Sequence, residues 1–186
     1  MVYDKVLSGK FVELYSVTPE DAEFILQLRQ NDEIARYLHR IDNSVEQQID
    51  WIKLHQKIDG DYYFLIWSKN THERLGTISL YDKKDDHCDI GRAVSIGNPI
   101  ENVEAFLLVF DFAFNDLGYK YLVGTIVPEN DSVKSLTARF GVIHEQQIHN
   151  VNGMQLQFGK VTKEDYYSKR PGIINLLKKA GKVMSQ

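Results

Sequence analysis

Hydrophobic and polar positions change period several times along the chain, and each change marks an element. Phe11–Tyr15 reads as a short strand followed by Thr18-Pro19-Glu20-Asp21. Thr18 can cap a helix with Pro19 at its first position and acidic residues in its first turn. Ala22, Ile25, Leu26 and Leu28 then recur at helical spacing. A second helix is predicted from Ser44, where Gln47 completes a capping box, with Val45, Ile49 and Ile52 along one face. Three strand-like runs follow, Tyr62–Trp67, Leu75–Tyr81 and His87–Ile96, joined by short polar links that predict an antiparallel meander. A densely apolar helix is expected from about Asn102 to Leu117, closed by Gly118. Tyr121–Val127 is a continuous apolar strand suited to a sheet centre, and Ser132–Phe140 a helix ended by Gly141. Two last strands, about Glu145–Val151 and Met154–Val161, flank the hairpin signal Asn152-Gly153. After Pro171-Gly172 a stripe of Ile173, Leu176, Leu177 and Ala180 predicts a separate helical tail over 169–186, appended to a domain at 1–168. Such a helix would dock on its own domain or on a subunit neighbour, so a homodimer is among the expectations.

Composition narrows the function. The 186 residues include 22 basic and 26 acidic ones, a net charge of −4. A generic nucleic-acid binder carries a basic excess, so no nucleic-acid partner is expected. No apolar run reaches the ~20 residues of a membrane span, and the opening MVYDKVLSGK has no stretch of signal-peptide type. Cys88 is the lone cysteine. There is then no disulfide framework and no cysteine cluster for a metal, and a cytoplasmic location is the simplest expectation.

Three stretches carry a resemblance. LRQNDEIARYLHR runs from Leu28 to Arg40, GRAVSIGNPIENVEAFLLVFDFAF from Gly91 to Phe114, and PENDSVKSLTARFG from Pro128 to Gly141. With the order β-α-α-β-β-β-α-β-α-β-β, the chain resembles the GNAT superfamily of acyl-CoA-dependent N-acyltransferases over roughly Phe11 to Val142. The resemblance implies an α/β (α+β) fold, with a central mixed, mostly antiparallel sheet flanked by helices. It also implies acetyl-CoA or another short acyl-CoA as co-substrate, and no metal. A loop that passes straight into a helix N-terminus offers unpaired N–H groups and a positive dipole end, which suits a pyrophosphate. Here that loop is Ile96-Gly97-Asn98-Pro99-Ile100-Glu101-Asn102. It lacks the family's usual Gly-x-Gly, and Glu101 and Glu104 stand nearby. Val94, Ile96, Gly97, Asn98, Asn102 and Val103, with Asn130, Thr137 and Arg139 from the later motif, are the expected donor-binding residues. Thr137 stands seven residues after Asn130, where many relatives carry a tyrosine acid.

Acyl transfer to an amine needs a neutral amine, a polarised carbonyl and alignment of the two. The family exposes a backbone N–H at a break in its fourth strand, expected here within Gly91–Ile96, with Val94 as donor. Asp89 stands where relatives often carry a glutamate that acts as base through water. Alternation places His87 and Asp89 on one strand face and Cys88 on the other, as a core filler. His144 reads as a strand-start residue. On the acceptor side the resemblance places Arg29, Asn31, Tyr37, His39, Arg40, Tyr81 and His87. That inventory, together with the GNPIENVEAFLL loop, resembles nucleotide-linked aminosugar N-acyltransferases of surface-polysaccharide pathways. Peptide N-termini, polyamines or drug amines are alternative acceptors, and a non-catalytic domain that has lost its donor site is a third reading.

Overall fold

Capping side chains decide where the first helices begin. In the computed structural model, which describes residues 1–183, the Asp21 carboxylate accepts the Thr18 N–H at 2.9 Å and its hydroxyl at 3.1 Å. The chain makes one 3-10 turn, Pro19–Asp21, and then enters helix α1, Ala22–Arg29. Helix α2, Val45–His55, starts at the expected box: Ser44 N–H donates to Gln47 Oε1 at 2.8 Å, and Gln47 N–H to Ser44 Oγ at 3.3 Å.

Nine strands form the sheet. They are β1 (Leu7–Ser8), β2 (Val12–Ser16), β3 (Tyr62–Ser68), β4 (Arg74–Tyr81), β5 (His87–Ser95), β6 (Tyr121–Ile126), β7 (Ile143–His144), β8 (His149–Val151) and β9 (Met154–Thr162). The order is β1-β2-β3-β4-β5-β6-β9-β7, with β8 paired to β9. Every pairing is antiparallel except β5 with β6. Of the expected strand Glu145–Val151 only His149–Val151 is extended, as β8, while β7 lies just before it, and Asn152 and Gly153 turn with φ of +51° and +84°.

Both sheet faces are covered, which explains why β3 is apolar at consecutive positions. Phe64 and Ile66 join the larger core with helix α3 (Pro99–Asp111) and helix α5 (Lys163–Val183); Leu65 packs with Ile25 and Ile52 of α1 and α2 on the other side. Helix α4, Asp131–Ala138, follows β6.

Two expectations are corrected. Helix α3 begins at Pro99, not near Asn102, because Asn98 caps it: Asn98 Oδ1 accepts the N–H groups of Ile100 (2.9 Å) and Glu101 (3.1 Å), and Glu101 returns a carboxylate oxygen to the Asn98 N–H at 2.9 Å. It continues through a π-helical turn, Phe112–Asp116, to Gly118 at φ +74°. The C-terminal helix is not a tail that starts after residue 168. It begins at Lys163, directly off β9, and runs unbroken through Pro171, while positions 184–186 of the expected tail lie outside the described residues. Tyr166, Ile173 and Leu177 are buried in the main core, and Arg170 grips Asp111 of α3 with bonds of 2.8 and 2.7 Å. That burial outweighs the one hydrogen bond a proline removes from a helix.

The two glutamates of α3 are explained by the same accounting. A buried carboxylate needs several donors. Glu101 is bonded to the Ser68 hydroxyl at 2.7 Å as well as to Asn98. Glu104 accepts the backbone N–H groups of Lys10, Phe11 and Val12 at 2.8, 2.5 and 2.8 Å and so ties the start of β2 to α3.

Candidate active site

One extra residue bends β5. Thr77 pairs with Val94 and Ser79 with Gly91, so Ile78 alone faces both Arg92 and Ala93. Arg92 has φ +48°, a left-handed conformation that is unfavourable for a side chain of this size. Thr77 Oγ1 donates to the Arg92 carbonyl at 3.0 Å, and Arg92 Nη1 donates to Asp61 Oδ1 at 2.7 Å. The guanidinium carbon stands 4.3 Å from the Tyr81 ring centre and 5.1 Å from that of Trp51.

β5 and β6 pair only at His87–Tyr121, Cys88–Leu122 and Asp89–Val123. Beyond those positions a cleft of about 290 Å³ opens between them. Phe106 and Phe110 of α3 give it an apolar wall, and Asn130, Val133 and Thr137 bring in α4. Gly91, Arg92 and Ala93 line it at the bulge, and Tyr37 and His39, from the link between α1 and α2, close its other end. The cleft therefore joins the two faces of the sheet.

Burial sets the electrostatics of this region. The Tyr81 phenol is pushed up to about 12, first by burial and then by Asp89, so it remains a hydrogen-bond donor at neutral pH. Its hydroxyl rests over Gly91, where an added Cβ would lie 2.7 Å away. Asp89 is held above the usual carboxylate range by burial and then by Asp82. It is the cross-strand partner of both Tyr81 and Val123, two cleft residues. His144 is held below the usual imidazole value by burial and then by Lys134.

Of the residues singled out from sequence, Tyr37, His39, Tyr81, Asn130 and Thr137 meet at the cleft. The others stand elsewhere. Val94 is buried in the ladder with β4, and Val103 lies in the core. Ile96 is exposed, and Arg139 ends α4 in solvent. Asn98 is used as a cap, and Asn102 Nδ2 donates to the Gly97 carbonyl at 2.9 Å. The expected cradle of unpaired N–H groups over 96–102 is thus closed by Asn98 itself, which takes the Ile100 and Glu101 donors. Asn31 Oδ1 accepts two N–H groups of its own turn, from Glu33 and Ile34. Arg40 is exposed and pairs with Asp32 and Asp42, each at 3.0 Å. His87 stacks on Tyr121 at 4.4 Å and bonds Asp86. Arg29 stands behind the cleft: Nη2 donates to the His39 carbonyl at 2.6 Å, and Nε is buried without a partner.

Asp61 and the place of His144 in the cleft were not read from the sequence. A carboxylate directly before the aromatic run Tyr62–Trp67 is the one signal that could have drawn attention to Asp61. Nothing local marks His144. Among the described residues no group of three or more His, Cys, Asp or Glu side chains could hold a metal, and no helix is long and apolar enough to cross a membrane.

Comparison with known proteins agrees with this geometry. Apo FdhC, described as a nucleotide-linked sugar GNAT, superposes with a TM-score of 0.80 at 24% identity, covering 94% of this chain and 99% of that one. A GCN5-related N-acetyltransferase from Brucella melitensis gives 0.77 at 18% identity, over 94% of this chain and 86% of that one. A spermidine N-acetyltransferase from Vibrio cholerae, solved with CoA and spermine, gives 0.71 at 15%, over 84% and 98%. No curated protein matches the chain. At these identities the structures speak for the fold alone. The profile described as "Acetyltransferase (GNAT) domain" matches residues 12–143, a span that includes both diverging strands, α3 and α4. By that match the chain belongs to the GNAT family of acetyltransferases.

Proposed function

We propose that this N-acyltransferase moves an acetyl or short acyl group from CoA to the amine of a nucleotide-linked amino-deoxy sugar, a step of surface-polysaccharide (lipopolysaccharide) assembly. The observation that carries the reading is the cleft itself, apolar at α3 and polar and aromatic at Tyr37, His39, Tyr81 and Arg92. A sugar nucleotide needs cations for its diphosphate and flat surfaces for its base. Arg92 lines the cleft and Arg29 stands just behind His39, with Asp61 the one carboxylate bonded to either guanidinium among the described residues. Burial, and with it the Arg92 charge, leaves Arg29 below the usual guanidinium range although Tyr63 acts the other way, an environment that an acceptor anion would relieve. Two guanidinium groups there work against a polyamine acceptor. The likeness to FdhC supports the same choice.

The chemistry is assigned to this chain's own groups. The peptide between Arg92 and Ala93 is planar and trans. With the Arg92 carbonyl held by Thr77, the Ala93 N–H is directed away from Thr77, and Ala93 lines the cleft. Ala93 replaces Val94 as our donor to the thioester oxygen. The amine attacks the carbonyl carbon and the C–N bond forms. The carbon–sulfur bond then breaks with its electron pair leaving on the CoA thiolate. The amine's surplus proton passes through water to Asp89, which is not on the cleft wall but pairs across the strands with the lining residues Tyr81 and Val123. Phe106 and Phe110 fit the apolar arm of the donor, and Thr137 of α4 faces the leaving sulfur. Asn98 caps α3 and Asn130 caps α4, so capping does not separate the two helix starts, and donor phosphates are assigned to the end of the cleft where both helices begin.

Thiol release measured against nucleotide-linked aminosugars, N-terminal peptides, polyamines and aminoglycosides tests the acceptor. Turnover with the sugar nucleotides and not with the others is expected. Turnover confined to the other classes would remove the sugar assignment and leave the acyltransferase intact.

A further inference from the structure

Four side chains from three parts of the chain close a ring behind the bulge. Arg92 donates to Asp61 Oδ1 at 2.7 Å, and His55 Nδ1 meets Asp61 Oδ2 at 2.6 Å. The His55 ring stacks on Trp51 with centres 3.8 Å apart, and Trp51 faces the Arg92 guanidinium at 5.1 Å. A second string of contacts comes from β3 and β4: the Tyr63 hydroxyl donates to Thr77 Oγ1 at 3.3 Å, and Thr77 donates to the Arg92 carbonyl. Arg92 is thus gripped at its carbonyl and at its guanidinium while it holds a φ of +48°. Such a conformation persists in a non-glycine residue only where its surroundings over-determine it.

Asp61 is the keystone of that ring. Its side chain is 3% exposed, and it takes no part in lining the cleft. A carboxylate buried to this degree is costly unless its partners are well placed. Its two oxygens meet one residue of α2 and one of β5, so it couples the acceptor-side helix to the bulge.

We infer that Asp61 is a positioning residue for acyl transfer: through Arg92 it fixes the Arg92–Ala93 peptide, so that the Ala93 N–H keeps its aim into the cleft. This rests on the assignment of Ala93 as the carbonyl donor. Without Asp61 the guanidinium loses its anchor, and the strained residue relaxes toward an ordinary strand conformation. The peptide then turns, with the walls of α3 and α4 left in place. The predicted signature is a loss of carbonyl polarisation and of turnover with little change in donor binding.

The test uses the full chain and acetyl-CoA labelled with 13C at the thioester carbonyl, read by difference infrared spectroscopy without any acceptor. In the wild-type protein the bound carbonyl band should lie below that of free acetyl-CoA. In Asp61→Asn the displacement should shrink by at least half, and kcat should fall about tenfold to a hundredfold, as for other small misplacements of reacting groups. KM for acetyl-CoA should stay within about twofold. Where Asp61→Asn does not fold, the Asp61→Asn/Arg92→Leu pair, which removes the charge pair and its anchor but keeps a side chain at the strained φ, gives the same reading. A band displaced in the variants as far as in the wild type would overturn the role of Asp61 and leave Ala93 standing. An undisplaced band in the wild type would overturn Ala93 first, and the inference with it. Neither outcome depends on which amine is the acceptor.

Discussion

Thr137 Oγ1 and His144 Nε2 lie 3.1 Å apart on the wall of the cleft. The threonine has one hydroxyl hydrogen, and the Val133 carbonyl takes it at 2.9 Å. The Lys134 carbonyl also lies within 3.2 Å of that hydroxyl; with the hydrogen on either carbonyl, His144 Nε2 is the donor to Thr137 and Nδ1 bears the lone pair. Nδ1 is buried without a partner, against Gly159, where an added Cβ would lie only 2.8 Å from it. Burial, and after it the Lys134 charge, displaces the titration of His144 downward. Thr137 and His144 thus stand paired on the cleft wall.

The pH dependence of stability follows from that displacement. A histidine held low binds fewer protons in the folded chain than in the unfolded one. Stability is then full above the ordinary imidazole value and is lost as pH falls below it. His144→Gln, which can still donate to Thr137, should flatten the fall in melting temperature between pH 7.5 and pH 5. Melting curves at the two pH values check this, and an unchanged slope would exclude His144 as a contributor.

Asp89 carries the opposite sign. A carboxyl held high binds more protons folded than unfolded, so stability falls as pH rises from the ordinary carboxylate range toward its displaced value. Asp89→Asn should therefore melt above the wild type at pH 7.5 and lose that advantage near pH 3.5. Turnover of the variant should suffer more at low pH than at high pH, where the amine is already neutral. A pH–rate profile parallel to the wild type would leave Asp89 a structural residue.

Glu104→Gln tests the tie between α3 and β2. The amide offers one acceptor oxygen where the carboxylate serves three N–H groups. Loss of charge-assisted bonds and stranding of a buried donor should together cost about 2–4 kcal/mol. For a chain of this size that is a fall in melting temperature on the order of 5–10 °C. Thermal denaturation measures it, and a fall under about 2 °C would mean that the three bonds are dispensable.

Gly124→Ala probes the mouth of the cleft. A Cβ at Gly124 would lie 2.8 Å from the Ile90 carbonyl oxygen, a backbone atom with little room to retreat. The methyl group should force β6 away from β5 at the cost of about 1–3 kcal/mol. KM for acyl-CoA should rise about tenfold, a loss of roughly 1.4 kcal/mol in donor binding. Steady-state kinetics at varied acyl-CoA would show it, and an unchanged KM would place the donor away from the β5–β6 gap.

Much of the fold is legible without coordinates because its signals act within a turn or two. Ser44 and Gln47 cap a helix three residues apart, Asn152-Gly153 turns a hairpin, and alternation separates Cys88 from Asp89. Asn98-Pro99 with Glu101 is an equally local helix start, hidden behind the reading of 96–102 as an open loop. Pro171 looked like a boundary, yet the burial of Tyr166, Ile173 and Leu177 against distant residues carries the helix through it. The candidate site divides in the same way. Tyr37, His39, Asn130 and Thr137 lie in segments whose resemblance to the family could be read directly, and Tyr81 ends a strand legible from its alternation. Arg92 and Asp61 are 31 residues apart, and Thr137 meets His144 only because β7 packs beside β9 at Gly159. Capping and alternation are properties of neighbouring residues, so the sequence carries them. Which distant side chains meet depends on strand order, on one extra residue in β5 and on where two parallel strands stop pairing, and those are decided by the packing of the whole chain.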